Sequence, residues 1–517
     1  MGIPSYFRGI LVKYPGCLTR TLSITPSALC FDFNCLIYRC IRGPSMPIYT
    51  TETHDDWEKA LLQQIEKTVK EVWTVSGKPK KVLLAVDGVV PMAKIRQQRV
   101  RRFKSAWLRK NNTEAWDTNA ITPGTQFMER LGVMLKGINT NWTVSGVDEE
   151  GEGEHKIMKW LRTGVLKDTG PSKPTASKGP SGPVVVYGLD ADLILLSMLT
   201  GEETGLDLHL LREKQEFGHK SQSYGEQEYQ FMNIREFQKR LGLSGYSMVL
   251  NYVGYMSLMG NDFLPHSLTH KLSEDGHEFV MRSMNSLKGK DGSNNSTPLV
   301  DEHGTVSLDV LKGVFEQWSS GTQEEERIMY MIKKKREQAV RGVGKGMAEE
   351  EGLPLIWNVE AAFVRDGTLV EDWKDVYWNF LHRSYDKDHV CKEYLKGFQW
   401  ILDYYTGKPV NMSWIFPAWV PPLWSDLASF LDKTSPISLQ IAGGNMVPTP
   451  EEQLSMVLPL ESWGLVRNHE LRKLPILFPQ MWPKKFGFVS MGRKWLWECE
   501  AGIPVLLVEK IRGATSV

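Results

Sequence analysis

The chain has 517 residues, 41% hydrophobic and 24% charged, enough material for a large folded interior and too little bias for a disordered or low-complexity protein. Its 62 Lys and Arg against 61 Asp and Glu leave no global field to attract a polyanion, so nucleic-acid binding must come from local clustering of charge. No apolar run reaches the roughly 18 residues of a membrane span and no apolar signal core opens the chain, which sets the expectation of an intracellular protein without membrane attachment.

Three short apolar runs end alike: ALCFD at Asp32, KKVLLAVD at Asp87 and GPVVVYGLD at Asp190. Each is followed by helix-like sequence, the pattern of parallel strands buried on both faces in βαβ units. Each aspartate then sits at the carboxyl end of a strand, the edge where open α/β sheets bind ligands. The stretches 165–183 and 286–304, rich in Gly, Ser, Pro and Lys, read as loops. The segment 324–340 reads as a charged exposed helix, its KKKR run being a solvated face before a nuclear address. Beyond 353 Trp, Tyr and Pro become dense, suggesting helices packed on aromatic loops. The expected organisation is a catalytic domain over 1–285, a variable linker with a charged helical segment over 286–352, and a mostly helical second region over 353–517.

The acid run GVDEEGEGEHKIMKW raises its own question. Acids at a helix start are stabilised by free N–H groups and the helix dipole by about 0.3–1 kcal/mol, which alone would explain Glu152 and Glu154. Asp32 and Asp87 at strand ends, Asp190 and Asp192 flanking one Ala at a strand-to-helix turn, and Asp262 behind Gly260 and Asn261 change the weighing. Seven carboxylates gathered at one sheet edge repel one another unless cations sit between them, and Mg²⁺ or Mn²⁺ prefers such hard oxygen ligands. Two ions about 4 Å apart, one activating water and both clamping a phosphate, would give phosphodiester hydrolysis. Asp148, Glu149 and Glu150 are left as surface acids, and His155 receives no catalytic role.

Immediately after Asp87 comes PMAKIRQQRVRRFKSAWLRK, eight cations and no acid. On a helix Lys94, Gln98, Arg101 and Arg102 share one face, with Val100, Phe103 and Trp107 opposite. Placed beside the acids, that face suits a terminal 5′-phosphate, nearly dianionic and able to accept several charge-assisted hydrogen bonds.

Other motifs fall away. His266, His270 and Glu274 lack a third zinc ligand and an intervening base, GVGKGM lacks Walker spacing, and Tyr6 stands where myristoylation wants Ser or Thr. Cys17, Cys30, Cys35, Cys40, Cys391 and Cys499 show no C-x-x-C pairing, so free thiols are expected.

The segments MGIPSYFRGILVKYP, FDFNCLIY, LLAVDGVVPMAKIRQQRVRRF, WDTNAITPGTQFM, GEGEHKIM, YGLDADLILLSM and LMGNDFLPH, in this order, resemble the Xrn-type 5′-to-3′ exoribonucleases, relatives of flap endonucleases. YLKGFQWILDYYTGKPVNMSW, PPLWSDL and QLSMVLP resemble that family's second conserved region. The resemblance implies a PIN/FEN-like α/β nuclease domain with a central, mainly parallel sheet flanked by helices, and an aromatic-rich second region packed against it.

It also implies that Asp32, Asp87, Glu152, Glu154, Asp190, Asp192 and Asp262 are catalytic and hold two Mg²⁺ or Mn²⁺ ions. Lys94, Gln98, Arg101 and Arg102 match the family's 5′-monophosphate pocket. Tyr38 replaces the family's base-stacking histidine, with Trp414 as its partner, while Met412 replaces a neighbouring aromatic residue.

The implied activity is processive 5′-to-3′ hydrolysis of 5′-monophosphorylated single-stranded RNA to 5′-mononucleotides, with a decapping enzyme upstream as supplier of such ends. A structure-specific 5′ or flap DNA nuclease and an inactive RNA-binding decoy are the alternatives. Stopping soon after the second region is the pattern expected of a catalytic core from a compact, viral-type genome, acting in the cytoplasm, with nucleus and virion as the other compartments. Oligomeric state is not legible.

Overall fold

In the computed structural model the described residues are 13–108, 115–166, 182–213, 228–272, 274–286, 297–342, 364–382, 385–433, 437–489 and 499–515. Residues 167–181, 287–296 and 343–347, parts of the expected loops and of GVGKGM, lie outside them. Strands β1 (Leu18–Thr19), β2 (Ala28–Asp32), β3 (Lys81–Ala85), β4 (Thr143–Ser145), β5 (Val184–Tyr187), β6 (Leu208–Glu213) and β7 (Tyr229–Asn233) form one sheet in the order β1-β7-β6-β5-β2-β3-β4. The five from β6 to β4 run parallel, and β7 and β1 close one edge antiparallel. The expected strands are β2, β3 and β5.

Burial on both faces explains their unbroken apolar sequence. Ala28, Cys30, Leu83, Ala85, Val184 and Val186 enter one core. The alternate residues Leu29, Phe31, Val82, Leu84, Val185 and Tyr187 enter a second core on the other face. Helices α1 (Phe33–Ile41) and α2 (His54–Val75) lead from β2 to β3. Helices α3 (Met92–Leu108) and α4 (Gln126–Ile138) lead to β4, α5 (Gly153–Arg162) to β5, and α6 (Asp192–Thr204) to β6. The chain thus winds outward from β2 through β3 and β4, then returns to β5 on the other side of β2. The reversal opens a crevice at the carboxyl ends of β2 and β5, where doubly wound sheets bind ligands.

Further helices share the first core with one face of the sheet. After α7 (Tyr246–Ser257) come α8 (Leu308–Trp318), α9 (Gln323–Gly342), α10 (Lys387–Thr406), α11 (Trp424–Lys433) and α12 (Pro450–Val457). Here the structure departs from the expected linker over 286–352. Leu311, Val314, Phe315 and Trp318 of α8 and Ile328 and Ile332 of α9 belong to the same core as Leu395 and Phe398 of α10. Phe315 stacks on Trp424 at 5.4 Å. Glu324, expected on an exposed face, is buried and accepts the Trp424 and Ser425 backbone N–H groups at 2.6 and 3.2 Å. A carboxylate from α9 therefore satisfies the free end of α11. A third core joins one face of α3 (Val100, Phe103) to residues 454–511. No helix of the described residues is long and apolar enough to cross a membrane.

Candidate active site

Asp32 is the last residue of β2, and Asp87 lies two residues beyond β3. Glu152 and Glu154 head α5, Asp192 opens α6 behind Asp190, and Asp262 follows α7. Asp32, Glu152, Glu154 and Asp192 are each no more than 7% exposed. Oxygens of Asp32, Glu154 and Asp190 all lie within 4.8 Å of one another, as do ligand atoms of Glu152, Glu154 and His155. Asp148, Glu149 and Glu150 are exposed.

Gly153 makes this convergence sterically possible. A Cβ there would meet the Ala85 carbonyl at 2.7 Å and Asp32 Oδ1 at 2.8 Å, so only glycine lets α5 start against the sheet edge. Its free N–H donates to Asp87 Oδ1 at 2.7 Å, so the carboxylate does the work of a helix cap. Asn34, on the first turn of α1, donates to Asp87 Oδ2 at 2.8 Å. Lys156 Nζ donates to the carbonyls of Val86 at 2.8 Å and Gly146 at 2.7 Å, tying the Asp87 loop to the segment that leads into α5.

The electrostatics are those of crowded anions. Burial, reinforced by Asp87 and Asp190, pushes the Asp32 carboxyl well above its ordinary value, and burial with Asp192 does the same to Glu154. Asp192 is pushed up to about 7 by burial and then by Asp190. Glu154 Oε2 and Asp192 Oδ1 are buried with no hydrogen-bond partner. Burial raises Glu152 too, although Lys94 opposes it. Burial alone would depress Lys94, but Asp262 and Glu152 outweigh it, so the ammonium stays charged. Lys94 pairs with Glu152 and lies 2.7 Å from Asp262 Oδ2, which it holds well below the ordinary carboxylate range against the effect of burial. Orphaned oxygens, carboxyls pushed above their ordinary range and an all-oxygen donor set fit a hard divalent cation. Asp32, Glu154 and Asp190, whose oxygens lie within 4.8 Å of one another, could hold it.

Helix α3 divides its cations by face. Lys94, Gln98 and Arg102 are 6–7% exposed and Arg101 is half-buried. Arg102 donates to Thr122 Oγ1 and to the Ile121 carbonyl at 3.4 Å, and burial pushes its pKa down to about 10. Gln98 Oε1 is buried without a partner, and the Arg101 side chain makes no hydrogen bond or ion pair among the described residues. Arg96 and Arg99 do different work. Arg96 donates to the Phe416 and Ala418 carbonyls and lies over Trp419 at 4.0 Å. Arg99, wholly buried, donates to the carbonyls of Pro504, Met456 and Met481. These two arginines bind the carboxy-terminal region to α3.

The family model described as XRN 5'-3' exonuclease N-terminus matches residues 1–214, the segment that carries six of the seven acids and the whole of α3. This amino-terminal segment is therefore similar to the Xrn-type family. Human 5'-3' exoribonuclease 1 aligns with 98% of the chain at 26% identity over 594 residues, covering 33% of the human protein. The Schizosaccharomyces pombe 5'-3' exoribonuclease 1 is 31% identical over 317 residues, 52% of the chain and 22% of the relative. The Saccharomyces cerevisiae 5'-3' exoribonuclease 2 is 30% identical over 260 residues, 39% of the chain and 24% of the relative. The chain thus spans a third or less of the length of these relatives.

The two expected stacking residues fare differently. Tyr38 is half-buried on α1. Trp414 is 5% exposed, its ring 5.3 Å from that of Trp400 and its Nε1 donating to Glu393 Oε2 at 3.1 Å. The ring expected to stack a base is thus enclosed in this structure. His270 is buried, stacked on Phe279 at 3.5 Å and beside Thr269. Sequence reasoning missed Asn34, Lys156 and Tyr404, whose hydroxyl donates to Glu152 Oε1 at 2.9 Å. Asn34, two residues past a strand-end aspartate, offered a local signal; Tyr404, 252 residues from its partner, offered none.

Proposed function

We propose that this Xrn-type chain is a divalent-metal-dependent, processive 5′-to-3′ exoribonuclease that hydrolyses 5′-monophosphorylated single-stranded RNA to 5′-mononucleotides. The observation that carries the reading is the junction at Lys94. One ammonium is seated between Glu152 and Asp262, at the start of the helix face that continues through Gln98, Arg101 and Arg102.

Bound Mg²⁺ or Mn²⁺ ions supply an activated water and charge neutralisation at the scissile phosphate. The acids at the end of β2, just beyond β3, at the heads of α5 and α6 and in the turn after α7 would hold such ions. Asn34 and the Gly153 N–H hold Asp87 in a fixed orientation. The guanidinium of Arg101 is available to a terminal phosphate, and a triphosphate or cap adds bulk that a buried pocket excludes. Tyr38 offers an aromatic face to a leading base. In each cycle water adds to phosphorus and the P–O3′ bond breaks, with a proton passing to O3′. The phosphate stays on the downstream nucleotide, so every cut restores a 5′-monophosphate end and the strand can advance without release.

The test is a substrate panel with and without Mg²⁺: RNAs alike except for a 5′-monophosphate, triphosphate or hydroxyl, plus single-stranded and flap DNA. Rapid Mg²⁺-dependent loss of the monophosphorylated RNA is expected. Equal loss of all three RNAs, or faster cutting of flaps, would refute the reading.

A further inference from the structure

We propose that Tyr404 is a positioning residue for the acid cluster: its phenol, carried on α10 from the second region, fixes Glu152 in the orientation in which it receives a divalent cation. The inference rests on the metal-site reading above and adds to it a donor from outside the matched amino-terminal segment.

Glu152 is held on both oxygens. Lys94 takes Oε2, and the Tyr404 hydroxyl donates to Oε1 at 2.9 Å, with Tyr404 8% and Glu152 5% exposed. Burial, with the Glu152 anion behind it, keeps the phenol protonated, so it serves as donor. The ring has little freedom. His155, one residue after Glu154, lies 3.8 Å from it, centroid to centroid, and Phe263, one residue after Asp262, meets it edge-on at 5.4 Å. Trp400, one turn back on α10, stacks at 5.0 Å. Trp400 is anchored in turn by Nε1 donating to the Asn411 carbonyl at 2.9 Å and by Trp414 at 5.3 Å. The row of rings from Trp414 through Trp400 to Tyr404 thus ends on a carboxylate, which gives the buried Trp414 a supporting part in place of base stacking. Outer partners of this kind orient ligands and typically change metal affinity or activity about 10–100-fold when lost.

The decisive variant is Tyr404→Phe, which keeps the ring and deletes the donor. Tyr394→Phe is its control, removing from the same helix a buried hydroxyl that has no partner. Mn²⁺ binding to the RNA-free full chain, read from the spectrum of free Mn²⁺, should weaken about tenfold or more in Tyr404→Phe. The Mn²⁺ concentration for half-maximal hydrolysis should rise in parallel, while melting in EDTA stays near that of the parent and Tyr394→Phe matches the parent throughout. A double-mutant cycle guards against a folding defect: if the phenol acts through Glu152, adding Tyr404→Phe to Glu152→Gln should cost no further affinity. Unchanged Mn²⁺ affinity in Tyr404→Phe, equal weakening in both tyrosine variants, or fully additive losses in the cycle would overturn the proposal. A parent that binds no Mn²⁺ would instead overturn the metal-site reading, and this inference with it.

Discussion

Replacing Asp192 with Asn should stabilise the metal-free protein at alkaline pH. Asp192 is 3% exposed, one of its oxygens has no partner, and burial together with Asp190 pushes its carboxyl from 3.8 to about 7. A carboxyl raised in the folded state favours folding fully below about pH 4 and loses that contribution as pH rises through 7. Ionising it at pH 8 therefore costs up to about 4 kcal/mol. Because neighbouring acids share and relax the repulsion, roughly half of that, about 2 kcal/mol, is the expected gain for Asp192→Asn. With an unfolding entropy of about 2 cal/mol/K per residue over 517 residues, the gain is about 2 °C in melting temperature. The assay is thermal melting in EDTA at pH 8 and pH 5, repeated with Mg²⁺. Asp192→Asn should melt higher than the parent at pH 8 and by a clearly smaller margin at pH 5, and should gain less from Mg²⁺. A variant that melts lower at pH 8, or a difference that ignores pH, would show that this carboxylate is not held against its own charge.

Two further outcomes follow from the division of labour on α3. Arg99→Met should cost about 3 kcal/mol, since it strands carbonyls of Met456, Met481 and Pro504 in the interior, and should open residues 450–515 to limited proteolysis; a cleavage pattern like the parent's would count against it. Arg101→Ala should lower kcat/KM on 5′-monophosphorylated RNA about 10–100-fold and spare folding, since charge-assisted bonds contribute about 1.5–3 kcal/mol. An unchanged ratio of monophosphate to triphosphate RNA would remove Arg101 from the pocket.

The central strands, with Asp32, Asp87 and Asp190 at or just beyond their carboxyl ends, were legible from a local rule: a strand buried on two faces reads as an unbroken apolar run that ends on the next aspartate. The two faces of α3 were legible from helical spacing. Helix α8 carried the same spacing in Leu311, Val314, Phe315 and Trp318, but its polar surroundings led to a linker reading. The role of Trp414 came from the resemblance alone, and a resemblance does not say that the ring is enclosed. The Glu324 cap on α11 and the Tyr404 bond to Glu152 join residues 100 and 252 positions apart, and no local pattern encodes such contacts.

A single-turnover digest of RNA carrying a labelled 5′-monophosphate, quenched from the earliest time point with and without Mg²⁺, asks which end is attacked and in what unit. The expected result is label released as mononucleotide from the first detectable cleavage, dependent on the divalent ion and abolished in Asp87→Asn. Label appearing first in oligonucleotides, or released equally well in EDTA, would contradict 5′-to-3′ metal-dependent hydrolysis at this site.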